Sequence, residues 1–207
     1  MKILLTGFEP FGQESLNPSW EAVAEVPDYF ENSEVIKVRL PVSFKKATEM
    51  LEQAVIMYRP DVALCVGQAG GRFEINIERV AINLADSSKA DNDGYCPVDT
   101  PLRTDAPDAY FSNLPVKQLV EAVRKAGIPA VVSNSAGAYV CNSVFYTAMH
   151  LVHTRHPSMK AGFIHIPYMP CQAVEKTKQP TMAKETVVQA LEAIIHTVVE
   201  TQCLASL

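Results

Sequence analysis

Residues 60–71 read PDVALCVGQAGG, and the fold turns on how this stretch is taken. The segment from Asp61 to Val66 is a short run, apolar after its first residue, too short for a helix, and stopped by a loop from Gly67 to Gly71. Such a run is typical of a strand buried on both faces, as in a parallel sheet. Working backwards, Ser43 can cap a long helix that runs to about Tyr58 and stops before Pro60. Glu34 to Val42 precedes it as a strand. A helix from Pro18 to about Val26 comes before that, with Asn17 as its cap and Pro in its first turn. Lys2 to Thr6 is the first strand.

Working forwards, residues 75–85, INIERVAINLA, read as extended. Residues 86–113 carry Asp, Asn, Gly and Pro without a period, which predicts a long loop with a functional or associative role. A helix over 115–126, closed by Gly127, a strand over 130–133, a helix over 140–154, a strand over 162–166 and a last helix over 182–202 complete the chain. Strand and helix alternate throughout. The pattern predicts an α/β fold, a mostly parallel sheet with helices on both faces. Ligands of such sheets bind at the carboxyl ends of the strands. The loops GFEPFG, GQAGGR, NSAGAYVC and IPYMPC each follow a predicted strand, so parallel strands would gather them, with Cys141 and His165, on one edge.

The totals narrow the function. A chain of 207 residues fits one large domain with a sizeable core. The net charge is −5 with no basic block, which argues against nucleic acid as a partner. No apolar run approaches the roughly 20 residues of a membrane span, and the segment after Met1 turns polar too soon for a signal peptide. The five cysteines, at 65, 96, 141, 171 and 203, form no C-x-x-C pair, so neither a zinc site nor a redox motif is expected. Cys65 and Cys203 lie in apolar stretches as small hydrophobes. A reducing cytoplasm is the natural compartment.

Cys141 follows a run of small residues and sits near the start of a helix. A helix N-terminus lowers a thiol pKa, and its N–H groups can hold an oxyanion. The same residue also suits a structural thiol at a helix–sheet contact. His165, near a strand end, is either a base or a satisfied core histidine. Glu78 is either the group that orients such a base or, with its neighbour Arg79, a member of structural ion pairs. His150, His153 and His156 recur every third residue, but no acid completes a ligand set, so they read as surface. No G-x-S-x-G is present, which leaves a serine hydrolase unsupported.

The motifs LLTGFEPFG, NPSWEAV, CVGQAGGR, ERVAINLAD, LPVKQLVEAVRKAGIPA, SAGAYVCN and GFIHIPY together resemble the pyroglutamyl peptidase I family of cysteine peptidases. The resemblance covers most of the first 170 residues. It implies a single three-layer α/β/α sandwich over residues 1–207 with a mixed, mostly parallel sheet. It also implies removal of N-terminal pyroglutamate from peptides, no cofactor, a cytoplasmic location and a homotetramer. Cys141 would be the nucleophile, His165 the base and Glu78 the third member. The family usually carries an Arg shortly after NLAD; Ser87, Ser88 and Lys89 stand here, so Lys89 or backbone N–H groups near Cys141 take its place.

Pyroglutamate is a neutral lactam, so an apolar slot with a few polar contacts is expected. Phe8 and Phe11 would wall the ring, Gln68 would bond the lactam, and Tyr139 and Val140 would close the slot. The competing readings are a cysteine amidohydrolase acting on free glutamine, a non-catalytic α/β binding module, and a family member that has lost turnover.

Overall fold

The computed structural model describes residues 1–204. Nine strands and five α-helices are found among them. The strands are β1 Lys2–Phe8, β2 Tyr29–Phe30, β3 Ser33–Leu40, β4 Val62–Gln68, β5 Ile75–Glu78, β6 Val80–Ile82, β7 Ala109–Phe111, β8 Ala130–Ser133 and β9 Lys160–Ile166. The helices are α1 Pro18–Glu25, α2 Phe44–Tyr58, α3 Val116–Lys125, α4 Val140–Thr154 and α5 Lys184–Leu204. The expected punctuation is in place. Asn17 Oδ1 accepts from the Ser19 N–H at the start of α1, and Ser43 Oγ accepts from the Lys46 N–H at the start of α2. Arg59 ends α2 in the left-handed region, at φ 47°, just before Pro60.

Seven strands form the central sheet in the order β2-β3-β1-β4-β9-β5-β8. Ile3 and Leu5 of β1 pack on one face with α1, α3 and α5, while Leu4 and Phe8 pack on the other with α2 and α4. Helices therefore cover both faces. β4 is buried from Val62 to Gly67, which is why residues 62–66 are apolar without alternation.

Strand direction departs from the expectation in one respect. β3, β1, β4 and β9 are parallel, but β5 is antiparallel to β9 and β8 is parallel to β5. The loops after β1, β4 and β9 share an edge; the end of β8 does not join them. Ser133 ends β8 level with Glu78, and Glu78 is level with Phe163, only midway along β9. Residues 134–139 then carry the chain back to the start of α4, turning through Gly137 at φ 77°.

The stretch 75–85 is not one strand. It divides into β5, in the main sheet, and β6, which pairs with β7 in a separate ribbon. The long segment before β7 is anchored at Asp91, which is buried. Its carboxylate accepts from the backbone N–H groups of Phe44, Asp93 and Tyr95, each at 2.9 Å. Three charge-assisted bonds satisfy that carboxylate and fasten the loop to the start of α2.

Candidate active site

Glu78 and His165 come from neighbouring antiparallel strands. Glu78 closes β5, and His165 is the next-to-last residue of β9. Their side chains share the sheet face that α4 covers, and His165 Nδ1 lies 2.8 Å from Glu78 Oε1. Both residues are buried, Glu78 completely. A carboxylate here acts as an acceptor, so Nδ1 carries the proton and Nε2 is left as the free acceptor. Glu78 Oε1 takes a second donor, Arg72 Nη1, at 2.9 Å.

Cys141 lies in the first turn of α4. Asn142, its neighbour, is fully buried and fixes that turn. Its amide donates to the carbonyls of Ile82 and Leu84, at 2.9 and 3.0 Å, and accepts from the Ile82 N–H at 3.0 Å. Below the turn lies Gly67, the register partner of His165. A Cβ placed on Gly67 would meet Cys141 Sγ and the Phe163 ring at 2.8 Å each. Glycine is what lets the thiol approach the sheet beside the His165 strand.

No side chain caps α4 at Tyr139, so its leading N–H groups are not satisfied from within the helix by a cap. That end should favour a thiolate, yet the Cys141 thiol is pushed up to about 12. Burial is the largest cause, followed by the Glu78 carboxylate and Cys65; its own backbone N–H and Arg72 pull the other way. Desolvation outweighs the helix end. Cys65, wholly buried in β4, is pushed up to about 11 by the same burial.

A cavity of about 260 Å³ has among its walls Gln68, which follows Gly67, and Tyr139, two residues before Cys141; Glu78, Cys141 and His165 do not line it. Phe11, Gln68, Lys89, Tyr139 and Tyr168 are among its walls. The Phe11 and Tyr139 rings stand 6.4 Å apart, tilted by 45°. Glu14 also lines it, but its carboxylate is engaged by Lys176 and by Gln172 Nε2. The walls combine flat apolar surface with amide and charged groups, which suits a small, partly apolar ligand.

The pyroglutamyl peptidase family model matches residues 1–201. The pyrrolidone-carboxylate peptidase of Thermococcus onnurineus is 52% identical over 197 residues, covering 95% of this chain and 98% of its own. That of Thermosipho africanus is 48% identical over 200 residues, 97% of this chain and 98% of its own. The crystal structure of Bacillus amyloliquefaciens pyroglutamyl peptidase I superposes with a TM-score of 0.90 at 43% identity, over 93% of this chain and 94% of the other. This chain belongs to the pyroglutamyl peptidase family. It is a peptide hydrolase directed at N-terminal pyroglutamate.

Against that family, the expected site residues fall into two groups. Glu78, Cys141 and His165 gather on one face of the sheet, and Phe11, Gln68 and Tyr139 line the cavity. Phe8 and Val140 do not line it. Phe8 is 2% exposed, with its ring 6.4 Å from Phe163, and Val140 is 1% exposed in the core under α4. Lys89 is on the cavity wall, where it places a cation.

Other candidates lie elsewhere. Arg79 does not pair with Glu78 but donates to Asn134 Oδ1 at 3.1 Å. His150 Nδ1 lies 3.1 Å from the Tyr110 hydroxyl, and the His153 ring stacks on Tyr110 at 4.6 Å. Among the described residues no group of His, Cys, Asp and Glu side chains is placed to hold a metal ion. No helix among them is long and apolar enough to cross a membrane. Cys96 and Cys171 are exposed thiols, while the side chain of Cys203 lies outside the described residues. The reading of the sequence missed Arg72 and Asn142. Arg72 was visible only as the residue closing the GQAGGR loop.

Proposed function

We propose that this chain cleaves the amide after N-terminal pyroglutamate through a triad of Cys141, His165 and Glu78, by way of a thioester. One observation carries the reading: the buried 2.8 Å contact of Glu78 with His165 lies on the sheet face where Gly67, the register partner of His165, admits the Cys141 sulfur. Desolvation pushes the Cys141 thiol up, which favours removal of its proton at the moment of attack over removal before it. His165 Nε2 takes the thiol proton as Sγ attacks the carbonyl carbon. Glu78 holds the imidazolium that forms. The imidazolium then gives its proton to the leaving amine, and the C–N bond breaks. Water, deprotonated by His165, attacks the thioester; pyroglutamate leaves and the thiol is restored. The uncapped first turn of α4 supports oxyanion binding by backbone N–H groups, each worth about 3–4 kcal/mol where such donors have been removed.

In the cavity, Phe11 and Tyr139 present ring faces to the lactam, and Gln68 presents an amide that can both donate and accept. Phe8 and Val140 support these walls from the core. A working thiol implies a reducing cytoplasm, and the assembly that fits the family resemblance is a homotetramer. The test is release of a fluorophore from a pyroglutamyl amide under reducing conditions, by the wild type and by Cys141→Ala. Release by the wild type alone is expected; release by Cys141→Ala would remove Cys141 as the nucleophile.

A further inference from the structure

Arg72 touches two parts of the site at once. Its Nη1 donates to Glu78 Oε1 at 2.9 Å, the oxygen that also faces His165 Nδ1 at 2.8 Å. Its Nη2 donates to the Ser135 carbonyl at 3.2 Å, within the segment that delivers Cys141. Glu78 Oε2 is buried with no hydrogen-bond partner, so every bond to this carboxylate converges on one oxygen. Arg72, like Glu78, Cys141 and His165, is not among the residues that line the cavity.

The charged and titratable groups that meet around Glu78 are Arg72 from the loop after β4, His165 from β9 and Cys141 from α4, with Cys65 from β4 acting on Cys141. Arg79, next in sequence, is turned away to Asn134. Arg72 is therefore the permanent cation of the group.

We propose that Arg72 is a positioning residue of the triad: its guanidinium holds the Glu78 carboxylate on His165 and ties the Ser135 segment to that carboxylate. The proposal rests on the triad reading above. A fully buried carboxylate needs a cation, and a guanidinium offers several donors in a fixed plane. The charge also has an effect that can be read out. The guanidinium favours a thiolate on Cys141, so removing it makes the Cys141 proton harder to take. Removing it also leaves the Glu78 carboxylate free to turn from His165, and both changes lower kcat with little effect on KM.

The experiment compares wild type, Arg72→Gln, Arg72→Met, Arg72→Lys and Cys141→Ala on a pyroglutamyl amide at neutral pH. A second readout is the rate of Cys141 alkylation by iodoacetamide at one fixed pH, followed on the Cys141 peptide. For the neutral variants we expect kcat and the alkylation rate each to fall about tenfold. KM should stay within about twofold, because a residue that acts through Glu78 and the Ser135 segment changes kcat rather than binding. Arg72→Lys, which keeps the charge, should restore part of both rates. Arg72→Met keeps the aliphatic stem and serves if Arg72→Gln does not fold. A neutral variant that loses kcat while the alkylation rate stays at the wild-type value would reduce Arg72 to a packing role and overturn the proposal. Activity in Cys141→Ala would instead overturn the triad reading, so the two failures are told apart.

Discussion

Glu78 and His165 stand 87 residues apart in the chain and 2.8 Å apart across the β5–β9 pair, both closed off from solvent. The contact depends on the antiparallel step, which sets Glu78 opposite Phe163 and one diagonal from His165. The carboxylate has two tasks in the mechanism, to fix the imidazole tautomer and to stabilise the imidazolium. Glu78→Gln keeps the shape and removes the charge. We predict a fall in kcat of about 10²–10⁴, with KM little changed. Steady-state kinetics on a pyroglutamyl amide will check it, and a loss below tenfold would detach Glu78 from the chemistry.

Gly67 offers a steric test of where Cys141 sits. A methyl at this position would lie 2.8 Å from both Sγ and the Phe163 ring. Strand β4 is packed on both sides and cannot easily retreat. Gly67→Ala should cost about 1–3 kcal/mol by overpacking and lower turnover more than that loss alone explains, because Sγ is displaced. Thermal unfolding and turnover, measured on the same preparation, separate the two effects. A variant as active as wild type would mean that the thiol does not rest over Gly67.

Much of this arrangement was legible in the chain, for physical reasons. Asn17, Ser43, Pro60 and Gly127 mark element boundaries because capping and ring closure act locally. The direction of β5 and β8 was not legible. Each has four residues, and nothing within so short a strand distinguishes a parallel from an antiparallel neighbour. Arg72 as the cation on Glu78 was not legible: adjacent Arg79 points to the opposite face of the strand, and Arg72 reaches Glu78 from the loop after β4. Phe8 misled because β1 runs two residues past Thr6, which turns an expected loop aromatic into a core residue on the α4 face. Asn142 had no signal, since its three bonds go to backbone some 60 residues away.

The buried Cys65 and the half-buried Cys141 predict a pH dependence of stability. Cys65 is raised from 9.0 to about 11 and Cys141 from 9.0 to about 12, in each case chiefly by burial. The folded state keeps these thiols protonated where the unfolded chain has lost the proton. Their contribution is therefore fully present below about pH 9 and is lost as pH rises through 9 toward 11 and 12. Denaturant midpoints should fall across that window, and Cys65→Ala should lessen the slope while lowering stability at neutral pH. An unchanged slope in Cys65→Ala would show that the thiol does not drive the loss.

The cavity should reject peptides that begin with an ordinary glutamine. Such a peptide matches pyroglutamate in size but brings an ammonium group in place of the ring N–H. The one carboxylate lining the cavity, Glu14, is already engaged by Lys176 and Gln172, and Lys89 stands on the same wall. The ammonium would thus meet aromatic rings and a like charge with no free counter-ion, at a cost of several kcal/mol once desolvated. We predict kcat/KM for a glutaminyl amide at least about 10³ below that of its pyroglutamyl counterpart, in line with sites that leave buried polar groups unpaired. Glu14 also gives a way to relax this. In Lys176→Met its carboxylate loses its cation and becomes available to an incoming ammonium, so the ratio should narrow from the glutaminyl side. Comparable rates for the two substrates in the wild type would sink the cavity as the determinant of specificity.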